Sequence, residues 1–202
     1  MIRIKELKDI DEKIIQDSIN ILDHEIKESI LSHLSYNLKY EYLKKFILKE
    51  NTYYYACFDD TKIIGCALLG NNPSEYFKNF KNLKYKILIH LILKLKFKTI
   101  LNIAIAFLNI DTFHLDRKLR KIIDNHLNLT LIAIKKDYQS QGIGKLFFEV
   151  ILKDFKKKNM NTITLEADNN RSISFYEKKL NFRIIGKKFR FFKYQKILMK
   201  DF

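Results

Sequence analysis

The amino-acid sequence predicts an α/β (α+β) fold, with a mixed central sheet of about seven strands flanked by helices. Three observations support this prediction: an alternating segment at residues 1–7, a hairpin at residues 53–69, and a strand-helix-strand-helix-strand-strand order after residue 126. The first three elements of that order form a crossover unit, which implies parallel neighbouring strands. Since 202 residues fit one domain carrying an insertion, we expect a single domain over residues 1–202.

The first half of the chain contains two predicted helices between an edge strand and the hairpin. Ile2 and Ile4 alternate with polar residues, which is typical of a short strand. Apolar residues then follow helical spacing from about residue 9 to residue 34, and residues 37–48 have the pattern of a second helix. The hairpin pairs residues 53–58 with residues 63–69, because both runs are rich in residues that favour strands.

Residues 71–125 are predicted to be a helical insertion between strands 3 and 4. From about Glu75 to Asn125 the sequence has no Gly or Pro, and its apolar residues follow several overlapping helical phases. Ile87–Ile110 is mostly apolar, but its uninterrupted part is shorter than the ~20 residues that a membrane-spanning helix needs. We therefore predict a buried helix pair here, with a helix lying on a membrane surface as the second interpretation.

The second half of the chain alternates strands and helices. In the first strand, His126, Asn128 and Thr130 alternate with apolar residues, which predicts one polar face. Ser172 is the predicted N-cap of the second helix. The predicted strands are 126–134, 162–167, 182–189 and 194–200, and the predicted helices are 143–157 and 172–180.

The bulk composition is basic and poor in cysteine. The net charge of +15 attracts polyanions, although lysine is spread along the whole chain, as on an ordinary solvated surface. Cys57 and Cys66 lie in apolar strand-like runs, where cysteine acts as a small hydrophobic residue. Neither a metal-ligand spacing nor a disulfide framework is present, so we expect no metal site. The reducing cytoplasm is the expected location, and the first residues have no signal-peptide core.

A glycine-containing loop, Gln139-Ser140-Gln141-Gly142-Ile143-Gly144, follows a predicted strand and opens a helix. Glycines let the backbone approach a ligand without interference from Cβ. A helix start presents unpaired N–H groups and the positive end of the helix dipole. We therefore predict a pyrophosphate-binding loop, to which Lys145 adds positive charge. The dinucleotide and phosphate-loop patterns are both absent, since residue 147 is Phe and no Gly-Lys-Ser/Thr follows a glycine at the required spacing.

Gln-x-x-Gly-x-Gly after the strand ending at Ile134 resembles motif A of the GNAT superfamily of N-acetyltransferases, (Arg/Gln)-x-x-Gly-x-(Gly/Ala). Downstream, Leu165–Lys178 resembles the second signature of that family, in which a strand is followed by Asn and a helix carrying Phe-Tyr-Glu-Lys. The resemblance covers roughly His126 to Gly186. It implies the acyl-CoA N-acyltransferase (GNAT) fold.

Two details refine the resemblance. His126-Leu127-Asn128-Leu129 and Leu165-Glu166 resemble the puromycin-acetyltransferase-like group, which has a helical insertion before its fourth strand, although Asn128 stands where that group has Tyr. The usual Leu-Gly-Phe after the tyrosine helix is Leu180-Asn181-Phe182 here. Since Asn tolerates a left-handed helix C-cap, this departure is compatible with the fold.

The resemblance implies that acetyl-CoA is the co-substrate and that an amine attacks its thioester directly. Backbone N–H groups around Ile132, Ala133 and Ile134 would bind the pantetheine arm and polarise the thioester carbonyl. Residues 139–145 would hold the pyrophosphate. Asn169 matches a family Asn that contacts the cofactor, or is a turn residue before the helix. Tyr176 matches the Tyr that protonates the departing thiolate, or is a half-buried aromatic residue.

The general base and the acceptor stay open at this point. Glu166 and His126 are both candidate bases. The inserted helices favour a pocket for a small-molecule primary amine, and a peptide or protein N-terminal acetyltransferase is the alternative. A non-catalytic module that binds nucleic acid or membrane is a third interpretation, based on the lysines between residues 78 and 98. We expect no obligate nucleic-acid partner and a monomer or homodimer.

Overall fold

The structure is a computed structural model, and it describes residues 1–26, 31–71, 81–93, 100–101, 117–190 and 193–202. Seven strands lie in one mixed sheet in the order β1-β2-β3-β4-β5-β7-β6. Their bounds are Ile2–Leu7 (β1), Thr52–Asp59 (β2), Lys62–Asn71 (β3), Leu127–Ile134 (β4), Thr162–Ala167 (β5), Arg183–Arg190 (β6) and Lys193–Asp201 (β7). The predicted mixed sheet of about seven strands is confirmed, with β1 at one edge.

The described residues contain six α-helices and two short 3-10 turns. The helices are Glu12–Glu25 (α1), Tyr36–Ile47 (α2), Lys81–Leu93 (α3), Arg117–Asn125 (α4), Ile143–Lys157 (α5) and Asn170–Leu180 (α6), and the 3-10 turns are Leu31–His33 and Lys136–Tyr138. Helices α3 and α4 lie within the predicted insertion, and much of the rest of residues 71–125 lies outside the described residues. Over the ranges that the structure describes, no helix has both the length and the apolar character needed to cross a bilayer.

The chain divides into two compact units. Unit 1 consists of Met1–Gly70 and Leu129–Met160, and unit 2 consists of Asn71–Asn128 and Asn161–Phe202.

The core of unit 1 forms around the aromatic face of α5. Strands β1, β2 and β3 pair antiparallel, with Ala56 of β2 opposite Cys66 of β3. Phe147, Phe148 and Phe155 of α5 are each fully buried, and the Phe155 ring meets the Tyr53 ring edge-on at 4.7 Å between centroids. These aromatic side chains therefore form the packing surface of the helix.

Unit 2 is built on the antiparallel strands β5, β7 and β6. Leu165 of β5 lies opposite Leu198 of β7, and both side chains are buried. Helix α4 contributes Ile123, which packs with Ile197 of β7. Leu119 of the same helix lies over Gly186, where a Cβ would collide with its side chain. This end of the predicted insertion is thus packed on the strands of unit 2.

Two helix boundaries differ from the sequence prediction. The first helix ends at Glu25 rather than near Leu34, and the N–H of its C-cap, Ile26, still donates to Leu22 O at 2.9 Å. Apolar periodicity continues beyond Glu25, so periodicity alone predicts a helix that is too long. The N-cap of α6 is Asn169 rather than Ser172, because the Asn169 side chain accepts the Ser172 N–H at 2.8 Å. Both Asn and Ser are good N-caps, and local sequence does not choose between them.

Candidate functional site

The predicted pyrophosphate loop lies in unit 1, between the end of β4 and the start of α5. After Ile134, the chain makes the 3-10 turn Lys136–Tyr138 and then enters α5 at Ile143. Lys135 N–H donates to Ile64 O of β3 at 2.8 Å, which fixes the exit of the chain from β4.

The carboxylate of Glu25, the last residue of α1, holds this loop at two points. Its Oε1 accepts the backbone N–H of Lys136 at 2.9 Å, and its Oε2 accepts Gln139 Nε2 at 2.8 Å. Hydrogen bonds to a charged acceptor are stronger than neutral ones. A residue more than one hundred positions away in the sequence thus braces the entry to the loop, and sequence reasoning missed it.

Gln139, the first residue of the motif, acts as a second brace through its side chain. Its amide nitrogen also donates to Ile134 O at 2.8 Å. An amide NH₂ group has two hydrogens to donate, and these two bonds use both of them. Gln141 Nε2 donates in turn to Asp137 O at 2.7 Å. The two glutamine side chains therefore stabilise the loop. The backbone N–H of Gln139 also donates within it, to Lys136 O at 3.0 Å, so the candidate N–H donors to a phosphate are those that follow Gln139.

Gly142 is the N-cap of α5 and adopts a left-handed conformation with φ of 81°. Only glycine enters this region freely, which explains its place at this position of the motif. The first bond of the helix ladder runs from Leu146 N–H to Gly142 O at 3.0 Å. The N–H groups of Ile143, Gly144 and Lys145 precede that ladder, and a glycine cap has no side chain to accept them. Donor groups in this arrangement suit a diphosphate.

The end of β4 is set by a close approach at Gly65 of β3. A Cβ on Gly65 would lie 3.0 Å from Ala133 O and 3.0 Å from Ile134 Cγ1. This distance is too short for an ordinary side-chain contact, so glycine lets β4 come close to β3 at the residues predicted to bind the pantetheine arm. Of those residues, Ala133 is buried, whereas Ile132 and Ile134 are half-buried. A glycine inside a predicted strand is the sequence signal for such an approach.

Tyr176 lies in unit 2, on the buried face of α6. Its ring packs edge-on against Phe175 at 5.4 Å and Phe182 at 5.6 Å between centroids. Burial raises the pKa of its hydroxyl above the ordinary value near 10, so this side chain stays protonated at neutral pH. A neutral phenol is the form that a proton donor requires.

Asn169 lies directly before α6 and is exposed. Its Oδ1 accepts the Ser172 N–H, as described above, and its Nδ2 lies 3.4 Å from Asp168 Oδ1. The residue therefore has a structural task as a helix cap, which corresponds to the turn-residue interpretation. Its amide nitrogen is the atom that a cofactor contact would use.

The two candidate bases lie at different places in unit 2. Glu166 is on β5, and its Oε1 accepts from Lys188 Nζ of β6 at 3.1 Å. His126 lies between the end of α4 and the start of β4 and is half-buried.

The polar face predicted for β4 is only partly present. Thr130 is exposed, but Asn128 is buried and donates to Thr164 Oγ1 at 3.2 Å. The burial of Asn128 was not predicted, and it is compatible with a polar strand face because a neutral amide that finds a hydrogen-bond partner can be buried at low cost.

The predicted site residues thus fall into two groups. The structure places residues 132–134 and 139–145 in one continuous segment of unit 1, and it places His126, Glu166, Asn169 and Tyr176 in unit 2. Glu25 and Gly65 of unit 1 join the first group. Within the ranges that the structure describes, no group of three or more His, Cys, Asp or Glu side chains is arranged to hold a metal ion.

The strand order and flanking helices are those of the acyl-CoA N-acyltransferase fold. A polyamine N-acetyltransferase of Drosophila melanogaster that forms N-acetylagmatine has a TM-score of 0.63 at 10% identity, with 100% of each chain covered. The ribosomal-protein-S18-alanine N-acetyltransferase of Escherichia coli has a TM-score of 0.60 at 14% identity, covering 100% of this chain and 94% of that one. The PaiA N-acetyltransferase of Thermoplasma acidophilum, in complex with coenzyme A, has a TM-score of 0.55 at 14% identity, covering 100% and 99%.

The sequence is also similar to known acetyltransferases. Residues 103–182 match the model of the acetyltransferase (GNAT) family. An N-acetyltransferase of Gracilaria tenuistipitata var. liui is 37% identical over 60 residues, which are 29% of this chain. The aligned part spans 32% of the length of that relative. The predicted family resemblance and fold are confirmed, whereas the likeness to the puromycin-acetyltransferase-like group stays a prediction.

Proposed function

We propose that this protein is an acetyl-CoA-dependent N-acetyltransferase that transfers the acetyl group to a primary amine by direct attack in a ternary complex. The observation that carries the proposal is the start of α5, where Gly142 caps the helix in a left-handed conformation inside a loop braced by Glu25. We treat residues 1–202 as one catalytic domain, with residues 71–125 as an insertion.

The diphosphate of acetyl-CoA would be held by the loop and the first turn of α5. Within residues 139–145, the backbone N–H groups that follow Gln139 would supply donors, and the positive end of the helix dipole would add to them. Lys145, whose ammonium lies 3.7 Å from Glu149, adds a charge at the same turn. Side-chain bonds of Gln139 and Gln141 preorganise this backbone, which lowers the cost of ordering it on binding.

The thioester would lie along the end of β4. Backbone N–H groups of Ile132, Ala133 and Ile134 are the candidate donors to the pantetheine arm and to the thioester carbonyl oxygen. A donor directed at that oxygen stabilises the negative charge that develops on it when the amine attacks. The position of β4 depends on Gly65, so this strand end is set by the backbone and not by a side chain.

Tyr176 would protonate the sulfur of the leaving group. The amine nitrogen forms a bond to the carbonyl carbon, the carbon–sulfur bond breaks, and the thiolate takes the phenolic proton. The proton lost by the amine goes to a base, for which Glu166 and His126 are the two candidates. Glu166→Gln and His126→Gln separate them, because only loss of the true base should lower kcat strongly.

The acceptor proposed is a small-molecule primary amine, since the insertion at residues 71–125 adds helices to the family fold. The alternative is the N-terminal amine of a peptide or protein, the kind of substrate named for the Escherichia coli structure. We also propose a cytoplasmic location, because Cys57 and Cys66 are free and buried, as in proteins of a reducing compartment. A monomer or homodimer fits the proposal.

A thiol-release assay tests the proposal. Purified protein is mixed with acetyl-CoA and with a panel of primary amines, including diamines, amino sugars and short peptides with free N-termini. We expect amine-dependent release of coenzyme A that saturates with a small amine. Saturation with peptides alone would support the alternative acceptor. No release above hydrolysis with any amine, together with no acetyl-CoA binding, would contradict the enzyme and favour a non-catalytic module.

A further inference from the structure

Helix α3 (Lys81–Leu93) carries large apolar side chains on two opposite faces. Leu83 and Leu91 are fully buried. Tyr85, Ile89, Ile92 and Leu93 are exposed, with fractions of 69%, 58%, 50% and 78%. The spacing of these four residues places them along one stripe of the helix. We call the four residues the α3 stripe.

The α3 stripe groups four exposed apolar side chains, whereas soluble proteins usually expose such side chains singly. A contiguous apolar patch of this kind marks a surface that binds something apolar. The sequence predicts a buried helix pair over Ile87–Ile110, and burial is observed for Leu91 but not for the α3 stripe. Leu83 and Leu91 thus mark the inner face of the helix, and the α3 stripe marks its exposed outer face.

The charge of the sequence segment that contains the α3 stripe indicates what kind of partner the stripe fits. Between Glu75 and Asp111 the sequence contains seven lysines and no Asp or Glu. Lys86, next to the stripe on α3, is exposed. A second copy of this chain would bring two such basic segments together, which like-charge repulsion opposes. Nucleic acid would satisfy the lysines but would leave four apolar side chains against a charged backbone.

We propose that the α3 stripe docks on the surface of an anionic lipid bilayer. Its apolar side chains would enter the boundary between headgroups and acyl chains, and the lysines of the same sequence segment would attract the anionic headgroups, as in interfacial helices. The helix lies on the bilayer and does not cross it. This inference concerns a surface outside the acetyl-CoA loop and stands whether or not the proposed activity is found.

Vesicle co-sedimentation tests the proposal. The full-length protein is mixed with vesicles of phosphatidylcholine alone, or of equal parts phosphatidylcholine and phosphatidylglycerol. We expect binding to the anionic vesicles that weakens as salt is raised, and little binding to phosphatidylcholine alone. Ile89→Glu and Leu93→Glu should each lower the affinity by about tenfold or more, since each removes one buried apolar side chain and adds a repelled charge.

Leu48→Glu is the matched control, because Leu48 is 73% exposed at the end of α2 in unit 1. It should bind anionic vesicles as the wild type does. Equal loss of binding in Leu48→Glu and Leu93→Glu would overturn the proposal. Unchanged vesicle binding in Ile89→Glu and Leu93→Glu, with salt-sensitive binding to duplex DNA, would replace lipid by nucleic acid. A dimer in sedimentation velocity that Leu93→Glu dissociates would replace lipid by a second copy.

Thermal melting tests whether another segment of the chain covers the α3 stripe in solution. If another segment of the chain covers the α3 stripe in solution, Ile89→Glu and Leu93→Glu would lower Tm far more than Leu48→Glu does, and the proposal would fail. If the stripe is exposed, as the structure has it, the three variants should melt within a few degrees of the wild type.

Discussion

The N-termini of α5 and α6 are both predicted to contact acetyl-CoA, but the protein caps them in opposite ways. Helix α5 begins at Gly142, which has no side chain, so its first N–H groups meet no side-chain acceptor from their own cap. Helix α6 begins after Asn169, whose Oδ1 accepts the Ser172 N–H at 2.8 Å. A cap side chain normally stabilises a helix by about 1 kcal/mol. The start of α5 forgoes that stabilisation, and the loop before it is held instead by Glu25 and Gln139.

This difference separates a binding role from a structural one. A helix start without a side-chain cap is ready to receive an anion, because the donors need not be released from another acceptor first. At the start of α6, by contrast, the Asn169 side chain already accepts one of these N–H groups. We therefore expect changes at Gly142 to act on binding, and changes at Asn169 to act mainly on stability.

The largest effect is expected at Gly142. Gly142→Val should abolish measurable acetyl-CoA binding, a loss of about 100-fold or more, because Val is strained at positive φ and adds bulk beside the donors. Isothermal titration calorimetry measures this directly. Gly142→Asn is the control, since Asn tolerates the left-handed conformation; it should fold normally and bind better than the Val variant. Wild-type affinity in Gly142→Val would refute the role assigned to α5.

Tyr176→Phe should lower kcat by about 100-fold while acetyl-CoA affinity stays within about twofold, since a general acid typically contributes that much. The Phe ring keeps the contacts with Phe175 and Phe182, so stability should hold. Thiol-release kinetics and calorimetry measure the two quantities. Unchanged turnover would remove Tyr176 from the reaction.

The pH dependence gives a second test of Tyr176. Burial raises its pKa, so the protonated form persists above pH 10. Deprotonation of Tyr176 should therefore cause no loss of kcat in the wild type below about pH 10. A loss of kcat near neutral pH that disappears in Tyr176→Phe would contradict the buried, neutral phenol.

Glu25→Ala tests the brace of the loop. We expect KM for acetyl-CoA to rise by about tenfold with kcat nearly unchanged, because two hydrogen bonds to a charged acceptor are lost. Glu25→Gln keeps an acceptor oxygen for one of the two donors and should recover part of the affinity. A general loss of stability would lower Tm and kcat together. If KM is unchanged in Glu25→Ala, the loop is held without this carboxylate.

The smallest effect is expected at Asn169. Ser also caps helices well, so Asn169→Ser should leave Tm nearly unchanged and raise KM for acetyl-CoA by about threefold, in keeping with the loss of one amide contact. Asn169→Ala should in addition lower stability by about 1 kcal/mol. A KM that does not change in Asn169→Ser would show that this residue is a cap and nothing more.

Local patterns predicted most of the sheet and the helix that follows the motif. The predicted bounds of α5 and β5 agree with the structure, because a strong apolar period marks each of them. Asn181, in place of the family Gly, adopts the left-handed C-cap that its tolerance for this region suggests, with φ of 57°. These features depend on residues close together in the sequence, and so the sequence was sufficient.

Features that depend on distant residues were not predicted. The bonds of Glu25 join residues 111 and 114 positions apart, and no local pattern indicates them. The true end of α1 was missed for a related reason, since apolar spacing continues beyond Glu25. The burial of Asn128 depends on Thr164, 36 positions away. The motif thus identified the loop, whereas the contacts that hold the loop in place required the structure.

The most direct test compares acetyl-CoA with S-acetylpantetheine, which has the thioester and the pantetheine arm but no diphosphate. Calorimetry should show that acetyl-CoA binds the wild type at least about 100-fold more tightly, because the start of α5 contributes most of the affinity through charge-assisted hydrogen bonds. In Gly142→Val this difference should largely disappear. Equal affinities of the wild type for the two compounds, or no heat with acetyl-CoA, would contradict the account.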